Sequence, residues 1–311
     1  MNYSKKQIEQ YSIETKHIKH YIEKVIRLLD ILNYFFAKCS FKDSLVLKGG
    51  TAINLVHTGL KRLSVDIDLD YCGSLEREKT LEDRNALEEE LDKYMISENY
   101  TISPKSRSSH ALLSKIYRYE NVFGNIDTIK VDINFMDRVH LYSPAMSKVN
   151  YYDKTVAVRV PAIEELFGMK INALIDRSKP RDLYDVIFVL ENANSFDMDM
   201  LRKAVVFYLS LNNKFIICDS TFERIKTIDY QDIKIELLPV LKKDERFDFE
   251  TAKTNAINFL KELLQLTNKE KQYLEEFSKG NYDPSLLFDE QIATKVKDHP
   301  MAKWRAKNIS N

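Results

Sequence analysis

The sequence is short of the residues that interrupt helices and of those that build disulfide or zinc frameworks. Glycine and proline number only seven each among 311 residues, which predicts a helix-rich fold. The three cysteines, Cys39, Cys72 and Cys218, form no CxxC pair, which argues against a disulfide framework or zinc knuckle and favours a reducing cytoplasm. No apolar run approaches the roughly 18 residues that span a bilayer, and the polar N-terminus lacks the apolar segment of a signal peptide.

An excess of charge of one sign is lacking too. The 47 basic and 47 acidic residues give a net charge of zero, so no net electrostatic attraction draws the chain onto nucleic acid or a membrane. Any RNA partner would have to bind a local basic patch. The six histidines have neither metal-ligand spacing nor a catalytic-triad context, so we assign them to surface or core packing.

The hydrophobic pattern predicts an α+β fold. Apolar residues at three- and four-residue spacing predict one helix over residues 4–38, and a β-hairpin is predicted around Gly124-Asn125. Short strands are predicted at three places: 44–48, 64–71 and 155–160.

The same pattern predicts two domains. Residues 1–160 should form a small mixed sheet flanked by helices, including the N-terminal ones. Residues 161–311 should form a mostly helical C-terminal half, because the pattern beyond about residue 197 is almost purely helical.

The stretch LVLKGGTAINL combines a strand, a Gly49-Gly50 turn and a helix that starts near Thr51. Backbone N–H groups point outward at such a helix start and the helix dipole favours negative charge, so the stretch is a candidate phosphate site. The glycines allow a phosphate to come close, and the Thr51 hydroxyl can add a hydrogen bond. The motif is not a Walker loop, because GxxxxGK[ST] is absent from the sequence. An ordinary turn is the competing interpretation.

Three acids alternate with apolar residues in SVDIDLDY. Side chains at i and i+2 of a strand share a face, so Asp66 and Asp68 can converge on one or two Mg²⁺ ions. Asp132, in the alternating stretch IKVDINF, is the candidate third carboxylate if the two strands are neighbours. Asp127 and Asp137 are its competitors, at the ends of the same arm. A solvated acidic edge strand is the competing interpretation. A calcium site of EF-hand type is excluded, because the spacing of the EF-hand ligand motif is not continued after Asp70. We take Asp70 as a bystander at the end of the strand.

The order G-G-[ST], a spacer and h-D-h-D-h resembles the nucleotidyltransferase fold shared with DNA polymerase beta. The longer string KGGTAINL…KRLSVDIDLDY resembles the AbiEii/AbiGii toxin family more specifically. The run RLSVDID, which begins at Arg62 and includes Ser64, matches that family's Arg-x-Ser-x-Asp-x-Asp element. The block MKINALIDRSKPRDLYDVIFV resembles its later motif and HPMAKW its C-terminal end, so the resemblance covers about residues 20–305.

The second block places charged residues on two successive helices. Lys170 and Arg177 are seven residues apart and share a helix face, from which Lys170 can reach phosphates as a point charge. Arg181, Asp182 and Asp185 follow on the next helix. An ion-pair cluster that ties the helices together is the competing interpretation for Arg177, Arg181 and Asp182. The resemblance implies direct roles for Lys170 and Asp185.

The resemblance implies a metal-dependent nucleotidyltransferase that is the toxin of an antiphage toxin–antitoxin pair. Mg²⁺ or Mn²⁺ held by Asp66 and Asp68, with Asp132 as third acid, would orient an NTP for attack by a substrate hydroxyl. Lys170 would stabilise the β- and γ-phosphates, and Asp185 would orient Lys170 or the nucleotide. The implied nucleotide-binding residues are Gly49, Gly50, Thr51, Arg62, Ser64, Lys170, Arg181 and Asp182.

The implied partners are an RNA acceptor, the 3′ end of tRNA, and a cognate antitoxin. A protein acceptor and a catalytically inactive nucleotide-binding module are the alternatives. Candidate RNA contacts near the C-terminus are Lys295, Lys297, Lys303, Arg305 and Lys307, with Trp304 for stacking. A solvated basic tail is the competing interpretation of these residues.

Overall fold

A computed structural model describes residues 3–212 and 219–309, and it divides the chain into two compact units. The first unit comprises three segments: Met1–Arg138, Pro144–Val160 and Pro239–Glu245. The second comprises the other three: Val139–Ser143, Pro161–Leu238 and Arg246–Asn311. One short segment of each unit therefore lies, in sequence, between two segments of the other unit. We call these two, Val139–Ser143 and Pro239–Glu245, the exchanged segments. Within the described ranges, no helix has both the length and the apolar character needed to cross a membrane.

The first unit is built on a mixed six-stranded sheet. Its helices are α1 (Lys5–Thr15), α2 (Lys19–Ala37), α3 (Gly49–Ala52), which continues as a π-helical turn over Ile53–His57, and α4 (Arg77–Ser97). The strands of the sheet are β1 (Leu45–Lys48), β2 (Asp66–Tyr71), β3 (Thr101–Ile102), β4 (Arg107–Ser108), β5 (Leu112–Glu120) and β6 (Ile126–Asn134). Their order is β1-β2-β6-β5-β3, with β4 also paired to β5. Only the β2–β6 pair is parallel among these strand pairs.

The alternation of β2 and β6 decides which sheet face is buried. Ile67, Leu69, Val131 and Ile133 have no exposed surface and form the core on one side. Helix α4 lies on that side, since its Asp92 accepts hydrogen bonds from two side chains of β5. The residues between them in sequence therefore project from the opposite, polar face.

The structure corrects two expectations for this unit. The single helix predicted over residues 4–38 is wrong, because Lys16 adopts left-handed backbone angles (φ 61°) and separates α1 from α2. The strand predicted at 155–160 exists as β8 (Lys154–Val160), but it pairs with an unpredicted strand, β7 (Ala145–Tyr151), in a separate antiparallel sheet. The hairpin around Gly124-Asn125 is confirmed by the antiparallel pairing of β5 with β6.

The second unit is helical throughout its described elements. Its α-helices are α5 (Ile163–Arg177), α6 (Pro180–Glu191), α7 (Met198–Leu211), α8 (Asp219–Lys226), α9 (Tyr230–Asp232), α10 (Phe249–Leu263), α11 (Asn268–Ser278), α12 (Glu290–Val296) and α13 (Pro300–Ile309). The α+β class with a mostly helical C-terminal half is thus confirmed. Cys39 and Cys72 are free thiols, and Cys218 lies outside the described residues.

A buried carboxylate holds the exchanged segment Val139–Ser143 in the second unit. Glu165 of α5 is fully buried and accepts hydrogen bonds from the backbone N–H groups of Leu141 (2.9 Å) and Tyr142 (3.0 Å). The Tyr208 hydroxyl donates to the same carboxylate at 2.7 Å. Burial disfavours this charge, but His140 and these donors outweigh burial and lower the pKa of Glu165.

Candidate active site

The Gly49-Gly50 turn, which is the first turn of α3 and not a separate turn before it, lies directly against the acidic strand. Gly49 has a left-handed φ of +70°, and a Cβ at this position would overlap the carboxylate of Asp68. A Cβ on Gly50 would lie 2.6 Å from the Arg62 guanidinium and 3.1 Å from the Ser64 hydroxyl. A side chain at either position would clash with Arg62, Ser64 or Asp68, which explains why both residues are glycine.

Thr51 and Arg62 fix the geometry of this turn. The buried Thr51 hydroxyl donates to the backbone carbonyl of Asp66, which ties the start of α3 to the start of β2. Arg62 is also buried, and its guanidinium donates to the Leu63 carbonyl at 3.2 Å. Backbone pairing of Arg62 with Leu241 anchors the approach to β2 on the returning segment Pro239–Glu245. The Thr51 hydroxyl therefore positions the start of α3 against β2.

The polar face of the sheet brings the predicted acids together. Asp66 and Asp68 are partly exposed on β2, and the parallel pairing sets Asp68 beside Asp132 and Asp66 beside Lys130. Asp132 accepts hydrogen bonds from the Ser114 hydroxyl, at 2.6 Å, and from the Lys130 ammonium. Burial disfavours the Lys130 charge, but Asp132, and then the charges of Asp66 and Asp68, raise the pKa of Lys130. Asp66, Asp68 and Asp132 therefore share this face with the Lys130 ammonium.

Asp70 differs from the two acids before it, since it is completely buried. The Lys48 ammonium lies 2.5 Å from its carboxylate and 3.6 Å from that of Asp137. Burial opposes the charge of Lys48, but Asp70, Asp137 and Asp68 outweigh it and raise the pKa of the ammonium. Lys48 is a site residue that sequence reasoning missed, although a lysine at the end of an apolar strand and directly before the glycine pair was a usable signal.

The donor set on this face suits a hard divalent cation. Mg²⁺ in phosphoryl-transfer sites takes one or two carboxylates from the protein, and substrate phosphates and water complete its shell. Asp66 and Asp68 supply such a pair at an accessible position. No cluster of three acids, histidines or cysteines in the described residues is placed to hold a metal by protein ligands alone. The role of Asp132 as a third ligand stays a prediction.

The second block forms a buried ion cluster within the second unit. The Lys170 ammonium lies 2.9 Å from Asp182 and 3.2 Å from Asp185. Arg177 donates two hydrogen bonds to the Asp182 carboxylate, at 2.7 and 2.9 Å. Burial opposes the charge of Asp182, but Lys170 and Arg177 lower its pKa to about 2. The cluster interpretation thus fits Arg177 and Asp182, and it extends to Lys170 and Asp185. Arg181 instead donates to the backbone carbonyl of Glu236 at 2.5 Å.

The basic residues near the C-terminus lie on α12 and α13 and in the turn between them. Lys303 is ion-paired with Asp298 at 2.5 Å, whereas Trp304 is 52% exposed. Their part in RNA binding stays a prediction.

Comparisons with known proteins concern the family and the fold of the chain. A family model described as nucleotidyl transferase AbiEii toxin, type IV TA system, matches residues 30–294. The fold is similar to that of the nucleotidyltransferase toxin MenT4 of Mycobacterium tuberculosis, with a TM-score of 0.68, 13% identity and coverage of 97% of this chain and 99% of the other. It also resembles JHP933 of Helicobacter pylori, with a TM-score of 0.50, 17% identity and coverage of 83% and 98%. At these identities the likeness shows the fold alone. No curated protein matches the sequence.

Proposed function

This chain belongs to the AbiEii family of nucleotidyltransferase toxins of type IV toxin–antitoxin systems, and from that premise we propose that it transfers a nucleoside monophosphate from an NTP to the 3′ end of tRNA in a Mg²⁺-dependent reaction. The family predicted from the sequence is thereby confirmed. The observation that carries the proposal is the pair Asp66 and Asp68, held partly exposed beside the Gly49-Gly50 turn. We place the reaction in the cytoplasm, where NTPs and tRNA are found together, and we assign its inhibition to a cognate antitoxin and its benefit to antiphage defence.

The proposed mechanism depends mainly on positioning and charge neutralisation. Bound by Asp66 and Asp68, Mg²⁺ or Mn²⁺ would neutralise the triphosphate and orient its α-phosphoryl group. Backbone N–H groups of the Gly49-Gly50 turn would bind phosphate oxygens, and the Arg62 guanidinium, packed against Gly50, adds positive charge there. The 3′-hydroxyl of the acceptor attacks the α-phosphorus, the bond to the bridging oxygen breaks, and pyrophosphate leaves. Asp132 would take the hydroxyl proton.

Lys170 is proposed to act on the β- and γ-phosphates of the same substrate. Asp182 and Asp185 form ion pairs with its ammonium and fix its direction, so both are positioning residues in this proposal. Arg177 neutralises the second carboxylate oxygen of Asp182, which leaves the cluster less negative and better able to tolerate phosphate. Arg181 would add charge for nucleotide binding.

To test this proposal, the protein is incubated with labelled NTP and Mg²⁺ in the presence of either total RNA or lysate protein. Wild type should label RNA of tRNA size, and Asp66→Asn, Asp68→Asn and Lys170→Met should each lose more than about 100-fold in rate. Asp43→Asn is the matched control, because Asp43 is 82% exposed and its only described ion pair is with Arg159. Label that enters protein instead of RNA would exclude the tRNA acceptor.

Induced expression tests the toxin role in cells. Wild type should arrest growth, Asp66→Asn should not, and co-expression of the antitoxin encoded beside the gene should restore growth to the wild-type strain. Equal toxicity of both proteins would contradict the catalytic assignment.

A further inference from the structure

The face that carries Asp66 and Asp68 continues across the sheet to its far edge. Residues paired directly opposite each other point to the same side, so the strand register maps this face. One row runs from Asp68 through Asp132 and Ser114 to Arg107 of β4. A second row on the same face sets Arg118 of β5 between Thr128 of β6 and Thr101 of β3. We call this surface, from Asp66 and Asp68 to Arg107 and Arg118, the acid-to-edge face.

The charge of the acid-to-edge face changes sign along its length. Arg107 and Arg118 are exposed, and among the described residues neither guanidinium is in an ion pair or hydrogen bond. Lys105, in the turn before β4, is exposed as well. Lys130 lies between the two ends and is paired with Asp132. The β5 acid of this face, Glu120, lies at the end of the strand beyond Arg118.

The dimensions of the face fit a short single strand of nucleic acid. Three strand spacings separate β2 from β4, which is about 14 Å at about 4.8 Å each. That distance is a few nucleotides of one strand, since phosphates recur every few ångströms along it. Single-stranded RNA ends are bound through phosphate contacts and through base contacts with side chains. Ile116, half-buried in the middle of the face, and the exposed Leu112 offer apolar area to bases.

We propose that the acid-to-edge face is the docking surface for the single-stranded 3′ segment of the RNA acceptor. This inference rests on the proposed transfer to RNA and adds where the acceptor lies. The terminal hydroxyl is at the acids, and the phosphates of the preceding nucleotides lie on Arg107 and Arg118. The unpaired arginines carry the argument, because guanidinium groups bind phosphate bidentately and an unpaired charge is ready for an external partner.

The test compares Arg107→Ala/Arg118→Ala with Lys38→Ala/Lys93→Ala. The control pair removes two exposed lysines of the first unit, at the end of α2 and on α4. Binding of fluorescent tRNA is measured at increasing salt, and binding of a fluorescent NTP in parallel. The arginine variant should bind tRNA about tenfold more weakly, and the slope of log K against log salt should fall by about 1.4, or about 0.7 for each lost contact. NTP binding and both properties of the control should be unchanged.

Steady-state transfer separates this inference from the proposed function. The arginine variant should raise KM for tRNA about tenfold and keep kcat, because saturating acceptor restores the reaction. If wild type labels tRNA and the arginine variant has the same KM and salt slope, the docking surface is wrong and the proposed function stands. If wild type neither binds nor labels tRNA, both are overturned. Loss of antitoxin binding with unchanged tRNA binding would identify a protein surface and also overturn the inference.

Discussion

Lys48 shows how one side chain can connect the glycine turn to the hydrophobic core. It follows the apolar strand β1, precedes Gly49, and neutralises the buried carboxylate of Asp70. Removal of one partner of a buried ion pair leaves the other charge without compensation, which costs about 3–5 kcal/mol. Lys48 therefore contributes to stability and to the shape of the site together.

We expect Lys48→Met to lower the free energy of unfolding by about 3 kcal/mol, and Lys48→Met/Asp70→Asn to recover a large part of that loss. Urea unfolding monitored by circular dichroism measures both. Lys38→Met, at an exposed position, is the control and should be neutral. A double variant no more stable than Lys48→Met would contradict the ion-pair explanation.

The depressed pKa of Asp182 makes stability depend on pH. Its ordinary pKa of 3.8 falls to about 2 in the folded protein, so its contribution is complete above about pH 4 and is lost as pH falls through about 2. The size of the effect is about 2 kcal/mol. Asp182→Asn should flatten the dependence of unfolding free energy on pH between 5 and 2, and Asp43→Asn should leave it unchanged.

At the residue scale, sequence reasoning located the alternating acids but not their different environments. The alternation in SVDIDLDY predicts Asp70 only as a bystander at the end of the strand. Asp70 is in fact fully buried and ion-paired with Lys48, whereas Asp66 and Asp68 are partly exposed. The antiparallel pairing of β1 with β2 sets Val46 opposite Asp70 and Lys48 opposite Asp68, and the Lys48 ammonium reaches diagonally to the Asp70 carboxylate. Register between separate strands depends on tertiary packing and has no local code.

The glycine turn allows a comparison at the scale of a single element. Gly49 and Gly59 both have left-handed backbone angles, with φ of +70° and +63°. An added Cβ meets Asp68 at Gly49 but open space at Gly59. Alanine at either position should cost about 1 kcal/mol through the backbone.

Gly49→Ala should in addition displace the Asp68 carboxylate, so we expect at least a tenfold loss of transferase rate in this variant and a near-normal rate in Gly59→Ala. Thermal unfolding and transfer assays on the same preparations separate the two effects. Equal activity of the two variants would show that contact with Asp68 is unimportant for catalysis.

Elements with local signals were predictable, and those set by unusual turns were not. The β5–β6 hairpin turns around Gly124-Asn125, a strong turn sequence, and was predicted. The β7–β8 hairpin turns at Tyr152-Asp153, which adopt φ of 51° and 59° without a glycine, so its first strand was missed. Lys16 ends α1 in the same left-handed conformation, while apolar periodicity runs on past it.

At the scale of the whole molecule, the exchanged segment Pro239–Glu245 completes the first unit. The Val240 carbonyl accepts from the Leu63 N–H at 2.7 Å, and the Lys16 carbonyl accepts from the Lys243 N–H at 3.0 Å. A protein that ends at Val160 lacks both. We expect it to unfold at lower urea concentration than the first-unit transition of the full chain, and its amides around Leu63 to exchange faster with deuterium.

Addition of a synthetic peptide of residues 239–245 should restore part of the protection around Leu63. Equal protection in the shortened protein and in the full chain would show that the returning segment is dispensable.

The place of Pro239–Glu245 in the sequence also determines when the first unit can be completed during synthesis. The acidic strand leaves the ribosome early, but the segment that completes its unit follows Val160 by 85 residues, since Glu245 is its last residue. At about 5–20 residues per second, this interval is about 4–17 seconds. A chain still in synthesis therefore carries its acids in an incomplete unit, and the completed nucleotidyltransferase arises only when most of the polypeptide has been made.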